Sequence, residues 1–190
     1  NKLFDRIAQS DKDLLIFLNN LGNESWDYIW LAITDKYTFL PLFLIVIFLL
    51  YKENGFYKLF LILLSIALLI LFTDQFTNLV KDTFERLRPC RVEELQQYLR
   101  NIDIRCGKYG FFSAHAANSI AVTTLIISTF KFSYKNWISL LLIFWVALFA
   151  YSRIYLGVHY PLDTIVGLCF GFIFGKTASC IINYFKLLRS

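Results

Sequence analysis

Long apolar runs separated by short polar segments fill the chain after residue 36. Residues 37–51, 56–80, 114–130, 136–154 and 161–185 are each apolar over most of their length. A helix needs about 20 such residues to cross the hydrocarbon core of a bilayer. Backbone polar groups find no partners in lipid, so each run predicts a helix. Residues 1–35 are patterned differently: Leu14, Leu15, Phe17, Leu18 and Leu21 fall among Asp11, Asp13, Asn19 and Asn20. Leu21-Gly22-Asn23 predicts a helix stop. Trp26, Tyr28 and Trp30 are aromatic anchors of the kind that sit at a bilayer surface. The stretch 1–36 is therefore expected as one or two amphipathic helices lying on the membrane, a first span being the alternative. Residues 37–190 are expected as the bundle. The predicted fold class is all-α: a single-domain, polytopic membrane bundle with about five or six transmembrane helices.

Composition supports this reading. The 190 residues suit one domain, and hydrophobic residues make up 57% of them, with 20 phenylalanines, above the roughly half expected of a soluble domain. The net charge of +5 is spread beside apolar runs rather than along a stripe, which argues against nucleic acid. The first 13 residues are polar and mixed in charge, so no cleavable signal peptide is expected and insertion falls to the internal apolar segments.

Five crossings place 1–36, 81–113 and 155–161 on one side of the membrane, and 52–58, 131–135 and the tail on the other. Lys52, Lys58, Lys131, Lys135, Lys186 and Arg189, against Glu53 alone, mark the second side as cytoplasmic. Arg91, Arg100, Arg105 and Lys108 oppose that assignment. Cys90 and Cys106 bracket a polar loop on the first side, where a disulfide would contribute about 3 kcal/mol; two separate thiols are the alternative. No further ligand stands at zinc spacing beside them. The first side is thus expected outside, on the extracytoplasmic face of the membrane. Cys169 and Cys180, in the last run, are expected as small buried hydrophobes. Gly167, Gly171 and Gly175 form a stripe that admits a close helix neighbour, and Asp163 continues it into the bundle.

The chemistry lies in three segments on the first side. Asp74, Asn78, Lys81, Glu85 and Arg88 share one face if the second helix continues to Pro89. Lys81 and Arg88 suit phosphate oxygens. Ser113, Ala114 and His115 open the third run, where free backbone N–H groups favour an anion. Arg153 closes the fourth run and needs a partner. His159 and Asp163 stand one helical turn apart with Pro161 between them, the arrangement of an imidazole oriented by a carboxylate. The chain has only two histidines, and both fall in these segments.

These segments resemble the type 2 phosphatidic acid phosphatase superfamily, which shares its core with vanadium-dependent haloperoxidases. The family pattern is Lys-x6-Arg-Pro, then Pro-Ser-Gly-His, then Ser-Arg-x5-His-x3-Asp. The first and third fit fully from Lys81 to Pro89 and from Ser152 to Asp163. The second departs at Phe112 and Ala114. The resemblance implies that His159 attacks phosphorus, Asp163 holds it, and His115 protonates the leaving oxygen and then activates water. It implies that Lys81, Arg88, Ser113, the Ala114 amide and Arg153 hold the phosphate, with no metal and no cofactor. The implied partners are the bilayer and a lipid substrate: undecaprenyl pyrophosphate, phosphatidylglycerophosphate, phosphatidate or a phosphate of lipid A. A lipid phosphotransferase using the same intermediate and a non-catalytic lipid-binding protein are the other readings. A haloperoxidase is set aside, since its vanadate pocket normally belongs to a larger soluble protein. Oligomeric state is not legible.

Overall fold

The computed structural model describes residues 2–35, 37–100, 102–129 and 135–185. Lys131, Lys186 and Arg189, on which the orientation partly rests, lie outside them. Among the described residues the regular elements are helices: α1 (Lys2–Asn19), α2 (Glu24–Thr34), α3 (Leu40–Phe84), a 3-10 turn at Pro89–Arg91, α4 (Glu93–Gln96), α5 (Ala114–Thr129), α6 (Lys135–Tyr155) and α7 (Pro161–Tyr184).

The N-terminal stretch is two helices. The Asn23 side chain accepts the Ser25 and Trp26 N–H groups at 3.1 and 3.3 Å, starting α2 where the sequence predicted a break. The amphipathic pattern of α1 is turned inside out. Asp11, Leu15 and Asn19, four residues apart, are buried, while Leu3, Phe4, Ile7, Leu14 and Phe17 are exposed. A helix lying between lipid and protein offers its greasy face outward, so its polar face is free to bond inward. Asn19 does so, donating to the Tyr155 carbonyl at 2.5 Å and accepting the Arg100 N–H at 2.8 Å.

The first two apolar runs form α3, interrupted at Gly55, whose φ of 75° lies in the left-handed region. The chain doubles back there. Phe43 and Ile70 line one apolar cavity of about 300 Å³, although in a straight helix they would lie about 40 Å apart. Among the described residues three helices are long and apolar enough to cross a bilayer: α3, residues 137–155 of α6, and α7. The 16-residue α5 is shorter. It sits at the centre, against α3, α6 and α7, and buries Ala116, Ala117, Ser119, Ala121 and Thr123. Small side chains serve a helix surrounded by protein rather than by lipid.

The most extensive helix contact joins α5 to α7. A Cβ on Gly167 would lie 2.6 Å from the Ser113 carbonyl oxygen, and at Gly171 and Gly175 it would fall closer still to the carbonyls of Ala117 and Ala121. The glycine stripe is thus a backbone-to-backbone seam. Cys169 and Cys180, expected inside, are exposed. They lie off the seam, on the outward surface shared with Ile165, Phe172 and Ile173, where the neighbour is lipid.

Cys90 and Cys106 form a disulfide with Cα atoms 6.5 Å apart. It closes a loop tied down by its own cations. Arg100 donates to Asp27 at 2.5 Å and to the Tyr155 hydroxyl at 2.9 Å. Arg91 donates to the Cys106 carbonyl at 2.7 Å. These two arginines, which counted against an outward-facing first side, have local structural partners.

Candidate active site

The Lys-x6-Arg-Pro segment leaves its helix earlier than the sequence predicted. α3 ends at Phe84, and Glu85 takes a left-handed conformation with φ 48°. The chain then pairs with the far end of the disulfide loop: Arg88 N–H donates to the Lys108 carbonyl at 3.1 Å, and Gly110 N–H to the Arg86 carbonyl at 2.8 Å. Cross-chain pairing competes with helix propagation here and wins before Pro89 can act. Glu85 and Arg88 therefore do not extend the face of Asp74, Asn78 and Lys81. Arg88 instead spends its Nε–H on the Tyr109 carbonyl at 2.9 Å, which fixes the guanidinium plane and leaves its terminal nitrogens for a ligand. Asp74 accepts from Asn118 at 2.7 Å.

The third segment folds around one carbonyl. After α6, Gly157 adopts φ 65°, and the N–H groups of Val158 and His159 both donate to the Arg153 carbonyl at 3.2 Å. The backbone of one motif residue thus holds the loop carrying another, which explains the fixed spacing between them. The Arg153 side chain is buried and donates to the Thr34 hydroxyl of α2. Asp163, fully buried in the first turn of α7, accepts the Tyr160 N–H on Oδ2 at 3.1 Å. The same oxygen lies 3.6 Å from Nδ1 of His159, slightly beyond a hydrogen bond. The Asp163 carbonyl accepts the Ser113 N–H at 2.9 Å, locking the second segment to the third. Ser113 is buried and its Oγ accepts the Ala116 N–H at 3.4 Å, capping α5. His115 follows in the first turn, exposed, with its ring 5.6 Å from that of Phe149.

All three cations act on the imidazoles. His159 feels Arg88, Arg153 and Lys81, and so does His115, which also feels His159. Among the described residues none of these cations has a carboxylate ion-pair partner within 4.0 Å. Burial first, and then Arg88, Arg153 and Lys81, push His159 well below the ordinary imidazole range. The Gly110 carbonyl pulls weakly the other way, yet neither ring nitrogen has a hydrogen bond of good geometry. A neutral ring retains the lone pair that a nucleophile needs. Asp163 stands at Nδ1, so Nε2 is the ring nitrogen that faces no carboxylate. Both ring nitrogens are buried. Among the described residues no cluster of His, Cys, Asp and Glu is arranged to hold a metal ion.

The lowered pKa has a consequence for stability. The unfolded chain binds a proton on His159 near pH 6.5, and the folded protein refuses it until well below that. Stability therefore falls as pH drops below about 6.5, with a slope of up to ~1.4 kcal/mol per pH unit from this residue. Thermal melts in detergent between about pH 7 and pH 5 are expected to show a smaller loss in His159→Gln than in the unsubstituted protein.

Lys81, Arg88, His115, Arg153, His159 and Asp163 are thus gathered in one place, with Ser113 and Ala114 at the start of α5 beside them. Sequence reasoning missed three residues that hold this arrangement: Thr34, which supports Arg153, Arg86, which pairs with Asp163, and Asp11, which pairs with Arg86. Arg86 lies within the unspecified positions of the first segment. Asp11 falls where an amphipathic pattern reads as solvent-facing.

The family model of the PAP2 superfamily matches residues 58–187. This chain belongs to the PAP2 superfamily. A lipid A 4'-phosphatase of Bacteroides thetaiotaomicron is 33% identical over 172 residues, covering 89% of this chain and 75% of the relative. A lipid A 4'-phosphatase of Porphyromonas gingivalis is 30% identical, covering 89% and 71%. An undecaprenyl-diphosphatase of Sulfolobus acidocaldarius is 28% identical, covering 83% and 64%. Among solved structures, Aquifex aeolicus LpxE matches with a TM-score of 0.63 at 24% identity, covering 87% of this chain and 92% of that one. A transmembrane PAP2-type phosphatidylglycerolphosphate phosphatase from Bacillus subtilis matches with 0.71 at 18%, covering 94% and 87%. Those two share the fold. Family and relatives together make this PAP2 protein an integral membrane phosphatase.

Proposed function

We propose that this PAP2 protein hydrolyses a phosphate monoester on the headgroup of a membrane lipid, of the lipid A 4'-phosphate kind, through a phosphohistidine on His159. The observation that carries the reading is a buried His159 backed by Asp163, with Lys81, Arg88 and Arg153 acting on it and, among the described residues, without carboxylate ion-pair partners of their own. In the first step the Nε2 lone pair forms a bond to phosphorus. The ester P–O bond breaks, and the leaving oxygen takes a proton from His115, which is in its imidazolium form when the dianionic phosphate is bound among the cations. In the second step His115 removes a proton from water, the water oxygen attacks phosphorus, and the P–N bond breaks to release inorganic phosphate. The cations stabilise charge on the equatorial oxygens in both steps, a preorganised electrostatic effect worth about 3 kcal/mol for a well-placed donor. The substrate class is drawn from the two relatives of 33% and 30% identity.

The proposed setting is five crossings in a bacterial cytoplasmic membrane, the two halves of α3 counting separately. Residues 1–36 lie on the outer surface and 37–190 form the bundle of a single domain. The active site opens to the extracytoplasmic side, in keeping with the disulfide.

Two measurements test the reaction. A panel of lipid A 4'-phosphate, phosphatidylglycerophosphate, phosphatidate and undecaprenyl diphosphate, offered to detergent-purified protein, is expected to release inorganic phosphate fastest from lipid A. Faster release from undecaprenyl diphosphate would reassign the substrate, and transfer of labelled phosphate to a lipid hydroxyl would reassign the reaction. His115→Ala is expected to slow turnover of lipid substrate by about 10²- to 10⁴-fold. With an aryl phosphate, whose leaving group needs no proton, the variant is expected to load His159 and stall; label that never appears on His159 would exclude the covalent step.

A further inference from the structure

Asp163 has two oxygens, and the structure provides for each. Oδ2 takes the Tyr160 N–H and lies toward His159. Oδ1 takes Nη1 of Arg86 at 2.7 Å. The other arm of the same guanidinium, Nη2, donates to Oδ2 of Asp11 at 2.7 Å, and the guanidinium carbon stands 3.9 Å from the centre of the Tyr160 ring. Asp11 is itself fixed: its side chain is 1% exposed, and its Oδ1 accepts the N–H of Leu162 at the start of α7, at 2.9 Å. A chain of charge-assisted bonds thus runs from the amphipathic helix α1, through Arg86, to the carboxylate behind the nucleophile.

We infer that Arg86 is a positioning residue of the reaction, braced by Asp11 of α1, and that seating α1 is part of assembling the His159–Asp163 pair. The inference rests on the proposed role of His159. A buried carboxylate without its own cation would compete with phosphate for the nearest one, and Arg88 lies close enough to Asp163 to feel its charge. Arg86 meets that demand. It leaves Lys81, Arg88 and Arg153 for the substrate and fixes the rotation of the carboxylate so that Oδ2 stays toward Nδ1. A planar fork spanning two carboxylates is a task for Arg that Lys cannot reproduce. Asp11 in turn draws on the same guanidinium, so Asp163 keeps enough negative charge to accept the imidazole N–H.

The test compares unsubstituted protein with Arg86→Gln, Arg86→Lys, Asp11→Asn, the double variant Asp11→Asn with Arg86→Gln, and His159→Ala, all in detergent with one lipid phosphate. Arg86→Gln is expected to lower kcat by about 10- to 100-fold, the range for removing an outer hydrogen-bond partner of a functional group, with KM little changed. Arg86→Lys should recover part of that loss. Asp11→Asn retains an acceptor for the Leu162 N–H and should lower kcat by a smaller factor. The double variant should be no slower than Arg86→Gln alone, since Asp11 acts through Arg86. A purely structural role would lower the melting temperature and the active fraction without this split or this non-additivity. Unchanged kcat in folded Arg86→Gln, a loss lying wholly in KM, or multiplicative losses in the double variant would overturn the inference. If Arg86→Gln does not fold, full kcat in Asp11→Asn overturns it and a reduced kcat at unchanged KM supports it. Turnover that survives His159→Ala would instead remove the proposed nucleophile, a failure separate from that of the brace.

Discussion

His159→Ala is expected to abolish release of phosphate from lipid, by about ten-thousand-fold or more, the scale seen when a nucleophile is removed. The melting temperature should hold or rise at acidic pH, because the buried imidazole makes no hydrogen bond of good geometry and its removal frees the fold from a group that resists protonation. That pairing is diagnostic. A variant that is dead yet well folded assigns chemistry to the ring, whereas parallel loss of activity and stability would make His159 a packing residue. Binding should survive in part, since Lys81, Arg88 and Arg153 remain. Retention of a non-hydrolysable phosphonate lipid by the variant is the measurement that checks this.

Gly171→Ala is expected to be the most damaging single methyl in the chain. The added carbon would press into the carbonyl oxygen of Ala117 on α5. No rotamer change relieves a clash with backbone, so the cost exceeds the usual overpacking range and is put at about 3 kcal/mol or more. The effect reaches the site without touching it. Separating α5 from α7 strains the bond from Ser113 N–H to the Asp163 carbonyl and moves His115 away from His159. Loss of both the detergent melting transition and phosphate release is expected. A well-folded, active Gly171→Ala would show that the seam tolerates separation. Gly55 is a useful contrast, since a Cβ there meets nothing within 4 Å and only its positive φ resists substitution.

The helices were legible because lipid imposes a simple rule on sequence, and the runs beginning at 114, 136 and 161 match α5, α6 and α7 closely. The motif residues were legible because Lys81, Arg88, His115, Arg153 and His159 are the wrong chemistry for their greasy surroundings. What escaped notice was context. Cys169 and Cys180 read as buried because apolar residues in a soluble protein go inside, yet in a bilayer the outside is equally apolar. Asp11 read as solvent-facing for the converse reason. The early end of α3 depended on pairing between Arg86–Arg88 and Lys108–Gly110, a contact across the disulfide loop that no local pattern announces. Arg86 was hidden because it falls among the unspecified positions between Lys81 and Arg88.

The position of α5 also bears on how the protein is made. Among the bundle helices α3, α5, α6 and α7 it is the most enclosed and the poorest in lipid-loving side chains, and its chief partner, α7, emerges from the ribosome after it. Until then its row of small and hydroxyl-bearing residues has no backbone to lie against, and the two imidazoles belong to segments that have not yet met. A nascent chain halted before residue 161 therefore carries most of the phosphate ligands but neither the seam nor Asp163. Hydrolytic power is withheld until α7 has been made, and the cell is spared a half-built esterase loose in its membrane.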